Sequence, residues 1–170
     1  MNNRFLEGYF YNPSQGNLRL KGVIREILNY IDQKPDKFYD IIVGCDSSSE
    51  LEPNFPVAVV ILRVGEGGRF FLKKIKYPSR KFYNFQQRVL GEVLLSCELA
   101  LTLRADLEKE MERLSILPHY QFRYIHADVG ENGATKDMIK EVTGLIKGNG
   151  FEPKIKPEAY AASVVADRYT

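Results

Sequence analysis

The chain has 170 residues, 44% of them apolar, which suits one compact domain with a sizeable core. No stretch approaches the ~18 uninterrupted apolar residues of a membrane span. The opening Met-Asn-Asn-Arg-Phe-Leu-Glu does not read as a secretory leader, and two cysteines, Cys45 and Cys97, make no disulfide framework, so a cytoplasmic location is expected. A net charge of +2 is too small to imply a polyanionic partner by itself, and that case rests on where the charges sit.

Residues 1–17 are aromatic and turn-rich, with Phe5, Tyr9, Phe10 and Tyr11 ahead of Asn12-Pro-Ser-Gln-Gly16, and read as an irregular arm. Leu20, Val23, Ile24, Ile27, Leu28 and Ile31 then form one apolar stripe at helical spacing, with Asn17 as the cap and Pro35 as the stop. Three strand-like runs follow. Residues 39–45 are nearly all apolar, residues 56–63 are rich in β-branched types, and residues 69–77 alternate. Gly65-Glu-Gly-Gly68 is a hairpin signal, and short links favour antiparallel neighbours.

A long helix is expected over 84–114, opened by Asn84 with Gln87 as a capping box. A strand over 121–127, a helix over 134–148 closed by Gly148 and Gly150, and a short strand over 151–155 follow. Pro157 suits the first turn of a final helix. The order predicts a mixed five-stranded sheet, three antiparallel strands plus two parallel ones, flanked by helices and preceded by a helical extension. Strands 39–45 and 121–127 are expected side by side and parallel at its centre, because a helical crossover joins two apolar runs.

Two of these runs end in a carboxylate. Tyr39-Asp-Ile-Ile-Val-Gly-Cys-Asp46 closes on Asp46, and Phe122-Arg-Tyr-Ile-His-Ala-Asp128 closes on Asp128. Charges at the ends of buried strands are costly unless paired or bound to a cation. Both also stand before turn formers, which is the plain alternative. Glu92 lies inside the long helix among Val89, Leu95 and Leu99. Its alternative is an ion pair with Arg88, and Glu98 is the competing acid. Asp167 lies near the chain end, where a solvated acid is ordinary.

The succession of elements, with acids at the first strand, in the following helix, at the fourth strand and in the last helix, resembles the RNase H-like superfamily. More closely, the chain resembles the bacterial YkuK-like family grouped with it. Ile41-Ile-Val-Gly-Cys-Asp-Ser-Ser48, the Gly-Gly-Arg-Phe-Phe turn at 67–71, His126-Ala-Asp-Val-Gly130 and Ile155-Lys-Pro-Glu-Ala-Tyr-Ala-Ala-Ser-Val-Val-Ala-Asp167 carry the resemblance. It implies an arm and helix over 1–35 packed on an RNase H-like domain over 36–170, one compact unit overall. It also implies a candidate two-metal site of Asp46, Glu92, Asp128 and Asp167 taking Mg²⁺ or Mn²⁺, hard ions that prefer oxygen ligands. Asp46 would bridge two ions, Glu92 and Asp128 would hold one, and Asp167 would complete the other. Ser47 and His126 are auxiliary candidates.

Between Lys73 and Arg88 there is no acid. Lys73, Lys74, Lys76, Arg80, Lys81 and Arg88 alternate with Tyr77, Phe82, Tyr83 and Phe85, the ingredients of contact with phosphates and bases. A solvated edge strand kept soluble by lysines is the ordinary alternative. The function expected is hydrolysis of nucleic acid by a metal-dependent carboxylate site. The rival is a non-cutting module that binds nucleic acid or protein. A cysteine hydrolase built on Cys45 and His126 lacks an elbow motif and an oxyanion hole, and no Cys/His spacing suggests zinc.

Overall fold

The computed structural model describes residues 6–77 and 79–170. The first five residues of the expected arm therefore lie outside the described residues. The elements are β1 (Phe10–Asn12), β2 (Gly16–Leu18), α1 (Leu20–Gln33), β3 (Tyr39–Cys45), β4 (Phe55–Arg63), β5 (Gly67–Ile75), α2 (Phe85–Leu114), β6 (Tyr120–Ala127), α3 (Ile139–Gly148, entered through a 3₁₀ turn) and β7 (Glu152–Lys154). A π-helical turn, Ala161–Ala166, and a 3₁₀ turn, Asp167–Tyr169, end the chain. The strands form one seven-stranded mixed sheet in the order β2-β1-β5-β4-β3-β6-β7.

The five expected strands are present. β3, β4 and β5 are antiparallel, and β3, β6 and β7 run parallel. β3 and β6 are neighbours, and neither is at an edge. The difference is at the other edge, where part of the expected irregular arm forms the hairpin β1–β2 and pairs with β5 through Tyr11 and Leu72. Asn12 holds its turn: its Oδ1 accepts from the backbone of Ser14 and Gln15, each at 2.9 Å. Asn17 consequently lies in β2, and α1 begins after Arg19 without a side-chain cap.

The cap of α2 is as expected. Asn84 Oδ1 accepts from Gln87 N at 2.9 Å, and Gln87 Oε1 reaches back to Tyr83 N at 2.8 Å. The expected final helix is a π-helical turn followed by a 3₁₀ turn, and Pro157 precedes it rather than opening it.

The sheet has two unequal covers. Tyr39, Ile41, Val43 and Cys45 of β3 face the large core shared with α1, α2 and α3. Ile42 and Val60 face a smaller cluster under Ala161, and Ala58 and Leu72 lie under Ala166. The C-terminal segment can lie this close because position 44 has no side chain. A Cβ on Gly44 would stand 2.6 Å from Ala162 N and 2.8 Å from the Ala161 carbonyl carbon.

Candidate acidic site at the carboxyl end of the sheet

A single irregularity sets the geometry. The β3–β6 pairing runs Ile41↔Phe122 and then Ile42↔Tyr124, so Arg123 is an extra residue in β6. Side chains alternate between faces along a strand, so one extra residue reverses the parity of everything after it. Past the bulge, Cys45 pairs with Ala127. Asp46 and Asp128, the next residues, therefore leave adjacent parallel strands toward the same side. Without the bulge, Asp128 would share the face of Phe122 and point toward α2.

The pairing continues beyond the strands. Asp46 N donates to Pro56 O at 3.2 Å, and Pro56 faces Lys74 in β5. On the other side, Lys156 N donates to Val129 O at 2.8 Å, extending the His126↔Lys154 register of β6 and β7. Lys74, Pro56, Asp46, Asp128 and Lys156 thus form one row across the sheet end. α2 brings Glu92 to this end from one face, and the C-terminal turn brings Asp167 from the other.

Asp46 is 9% exposed and Glu92 is 5% exposed. Burial raises the Asp46 carboxyl to about 7, and a hydrogen bond shared with Asp167 and the charges of Asp128 and Asp167 add to the rise. Burial likewise lifts Glu92 well above the carboxylate range, with Asp46 and Asp128 contributing, although Ser47 Oγ donates to Glu92 Oε1 at 2.5 Å and opposes the rise. Arg88, one turn away, acts on Glu92 less strongly than these acids. Glu98 acts on Tyr77 instead of on the cluster.

Asp128 meets a cation. Lys156 Nζ lies 3.0 Å from Asp128 Oδ1. The approach is not directed along a hydrogen bond, and this buried oxygen has no hydrogen-bond partner among the described residues.

The donors are carboxylate oxygens, an orphaned one among them, and they suit a hard divalent ion by chemistry. Their present positions do not make a shell: among the described residues, no three His, Cys, Asp or Glu side chains are placed to hold a metal ion together. Ser47 and Lys156 engage two of the acids, and Asp167 is exposed at the rim.

His126 serves the site at one remove. Its Nδ1 accepts from Ala161 N at 3.1 Å, and its ring meets Tyr160 edge-on. Burial lowers it to about 4, so it is a neutral acceptor that anchors the start of the C-terminal turn. Cys45 points to the α2 side, and burial followed by the charges of Glu92 and Asp46 keeps its thiol protonated. That disposes of a thiolate nucleophile.

The basic stretch divides. Lys73 departs from expectation: it is buried, its Nζ donates to the Glu7 carbonyl and lies 5.3 Å from the centre of the Phe10 ring. Alternation explains this, because Phe71, Lys73 and Ile75 share the core face of β5. Lys74 takes the other face and is exposed, as are Lys76, Arg80 and Lys81. Arg80 stacks over Tyr77 and Phe82, 5.3 and 4.7 Å from their ring centres. Arg88 is half-buried, and Tyr83, five residues before it, is 73% exposed. The backbone of Phe82 donates to Leu51 O at 2.9 Å, which ties this stretch to the loop after Asp46.

Sequence reasoning missed Lys156. Its only signal is position, just past the last strand and therefore at the same sheet end as Asp46 and Asp128.

A family model described as Ribonuclease H-like matches residues 22–170. The chain is also similar to the "Uncharacterized protein YkuK" of Bacillus subtilis (strain 168), with 29% identity over 168 residues, 95% of this chain and 96% of that protein. No solved structure matches.

Proposed function

Because the chain belongs to the ribonuclease H-like family, we propose that its acidic sheet end is a metal-dependent phosphodiesterase site acting on nucleic acid. One observation carries the reading. Asp46, nearly buried at a strand end, has its carboxyl raised to about 7 first by burial and then by a hydrogen bond to Asp167 and the charges of Asp128 and Asp167. A structural acid gains nothing from such crowding, whereas a cation relieves it.

Asp46, Glu92, Asp128 and Asp167 would hold Mg²⁺ or Mn²⁺, which supplies the charge that stabilises phosphodiester hydrolysis. The residues' own parts follow from their environments. Burial raises the carboxyls of both Asp46 and Glu92, so a cation entering the site would favour their ionised forms and release protons. Ser47 orients Glu92, and His126 fixes the turn that presents Asp167. Lys74 in the site's own row, with Lys76, Arg80 and Lys81 beyond it, would hold the phosphate backbone, and Tyr83 offers a face to a base.

A second reading is favoured by the Lys156 contact to Asp128 and by the lack of a ready metal shell among the described residues. It is a module that binds nucleic acid without cutting it.

The two separate on a panel of single-stranded, duplex and hybrid substrates with Mn²⁺. The catalytic reading expects cleavage that disappears in Asp46→Asn and Asp128→Asn while binding persists. Salt-sensitive binding with no cleavage of any substrate selects the second reading. Undiminished cleavage by both variants would mean that the activity is not this protein's.

A further inference from the structure

Lys156 is built into the acidic site rather than left beside it. Its backbone N donates to Val129 O at 2.8 Å, fixing its register opposite Asp128. Its aliphatic stem lies against Gly130, where an added Cβ would stand 3.0 Å from Lys156 Cβ and 3.4 Å from its Cδ. The bare backbone at Gly130 therefore gives the stem its path. The path ends with Nζ 3.0 Å from Asp128 Oδ1, the oxygen that no other group satisfies among the described residues. The Asp128 side chain is 23% exposed and that of Lys156 46%. The lysine is thus the more exposed of the two partners, with solvent beside its ammonium.

We propose that Lys156 is the resident cation of the acidic site, displaced from Asp128 by a divalent ion and, once freed, placed to contact a phosphate of the nucleic acid. The inference rests on the metal-dependent reading above and adds its control. A lysine ammonium and a divalent ion drawn to the same carboxylate oxygen repel each other at that distance, so they compete. The lysine keeps the site's net charge low when no metal is bound, which limits repulsion among the four acids. Its release would place a flexible monocation at the mouth of a newly loaded site, on the opposite side of Asp46 and Asp128 from Lys74. Metal and nucleic acid would then assist each other's binding, and such assistance is reciprocal.

Two titrations on the full chain test this. In the first, Mn²⁺ alone is titrated by calorimetry into the wild type, Lys156→Met and Gly130→Ala. Methionine keeps much of the stem and removes the charge, while alanine at 130 keeps the charge and pushes the stem aside. Both should bind Mn²⁺ more tightly, with Lys156→Met lowering the half-saturating concentration about two- to fivefold, the range for a partly exposed ion pair.

In the second, the anisotropy of a labelled single-stranded oligonucleotide with phosphorothioate linkages is followed with and without Mn²⁺. Mn²⁺ should tighten binding in the wild type and do so several-fold less in Lys156→Met. Mn²⁺ binding confined to Lys156→Met would also support the proposal. Mn²⁺ binding that Asp128→Asn abolishes but Lys156→Met leaves unchanged would overturn it and spare the metal reading. No Mn²⁺ binding in the wild type or either Lys156-side variant would overturn both.

Discussion

Asp46 condenses the chemistry into one titration. Its carboxyl holds a proton to about pH 7 in the folded chain against 3.8 ordinarily. The folded chain therefore binds more protons than the unfolded chain between these values. Stability from this group is fully present below about pH 4 and is lost as pH rises through about 7. Metal-free protein should accordingly melt at lower temperature at pH 8 than at pH 5.5, and Asp46→Asn should flatten this dependence and melt higher than the wild type at pH 8. Calorimetry at the two pH values checks it, and a wild-type stability that rises over the interval would contradict the assigned environment. The strand-end acids were legible in the sequence because each interrupts an apolar run, where a charge is least expected. The partner Lys156 was not, because a lysine after a strand is what any solvated loop contains. The inward turn of Lys73 was available in the alternation with Phe71 and Ile75, which outweighs the general preference of lysine for solvent.

At the scale of elements, the site depends on how closely the C-terminal turn crosses β3. Gly44→Ala would drive a methyl group into the backbone of Ala161 and Ala162. It should cost about 1–3 kcal/mol, the usual range for overpacking a tight contact. Because the same turn carries Asp167, the substitution should also lower the apparent pKa of Asp46 by removing a shared hydrogen bond. Carboxyl chemical shifts followed by NMR across pH would show it, and an unmoved Asp46 titration would mean that Asp167 does not reach it. Most elements were legible, since periodicity, the Gly65–Gly68 link and the Asn84–Gln87 cap each have a local cause. The β1–β2 hairpin was not, because strands of three residues carry too little pattern. The bulge at Arg123 was not either, since one extra residue leaves the apolar run of β6 intact. Yet that bulge decides which way Asp128 points.

Across the whole molecule, a net charge of +2 conceals a division between an acidic sheet end and a flanking basic stretch. Binding of nucleic acid should weaken steeply with salt, as phosphate contacts release counterions. Lys74→Ala with Lys76→Ala should lower the magnitude of the salt slope by about 1.5 to 2, which is two contacts' worth. Lys73→Ala should leave that slope alone and instead reduce stability, since its ammonium is enclosed by Glu7 and Phe10. Among the described residues, no helix is long and apolar enough to cross a membrane. Whether the carboxyl ends of β3 and β6 form a divalent-cation site is decided by anomalous diffraction from crystals equilibrated with Mn²⁺. The expected result is an anomalous peak bounded by the carboxylates of Asp46 and Asp128, with the Lys156 ammonium withdrawn from Asp128. Crystals saturated with Mn²⁺ at pH 8 that show no peak there, and Lys156 still on Asp128, would contradict it.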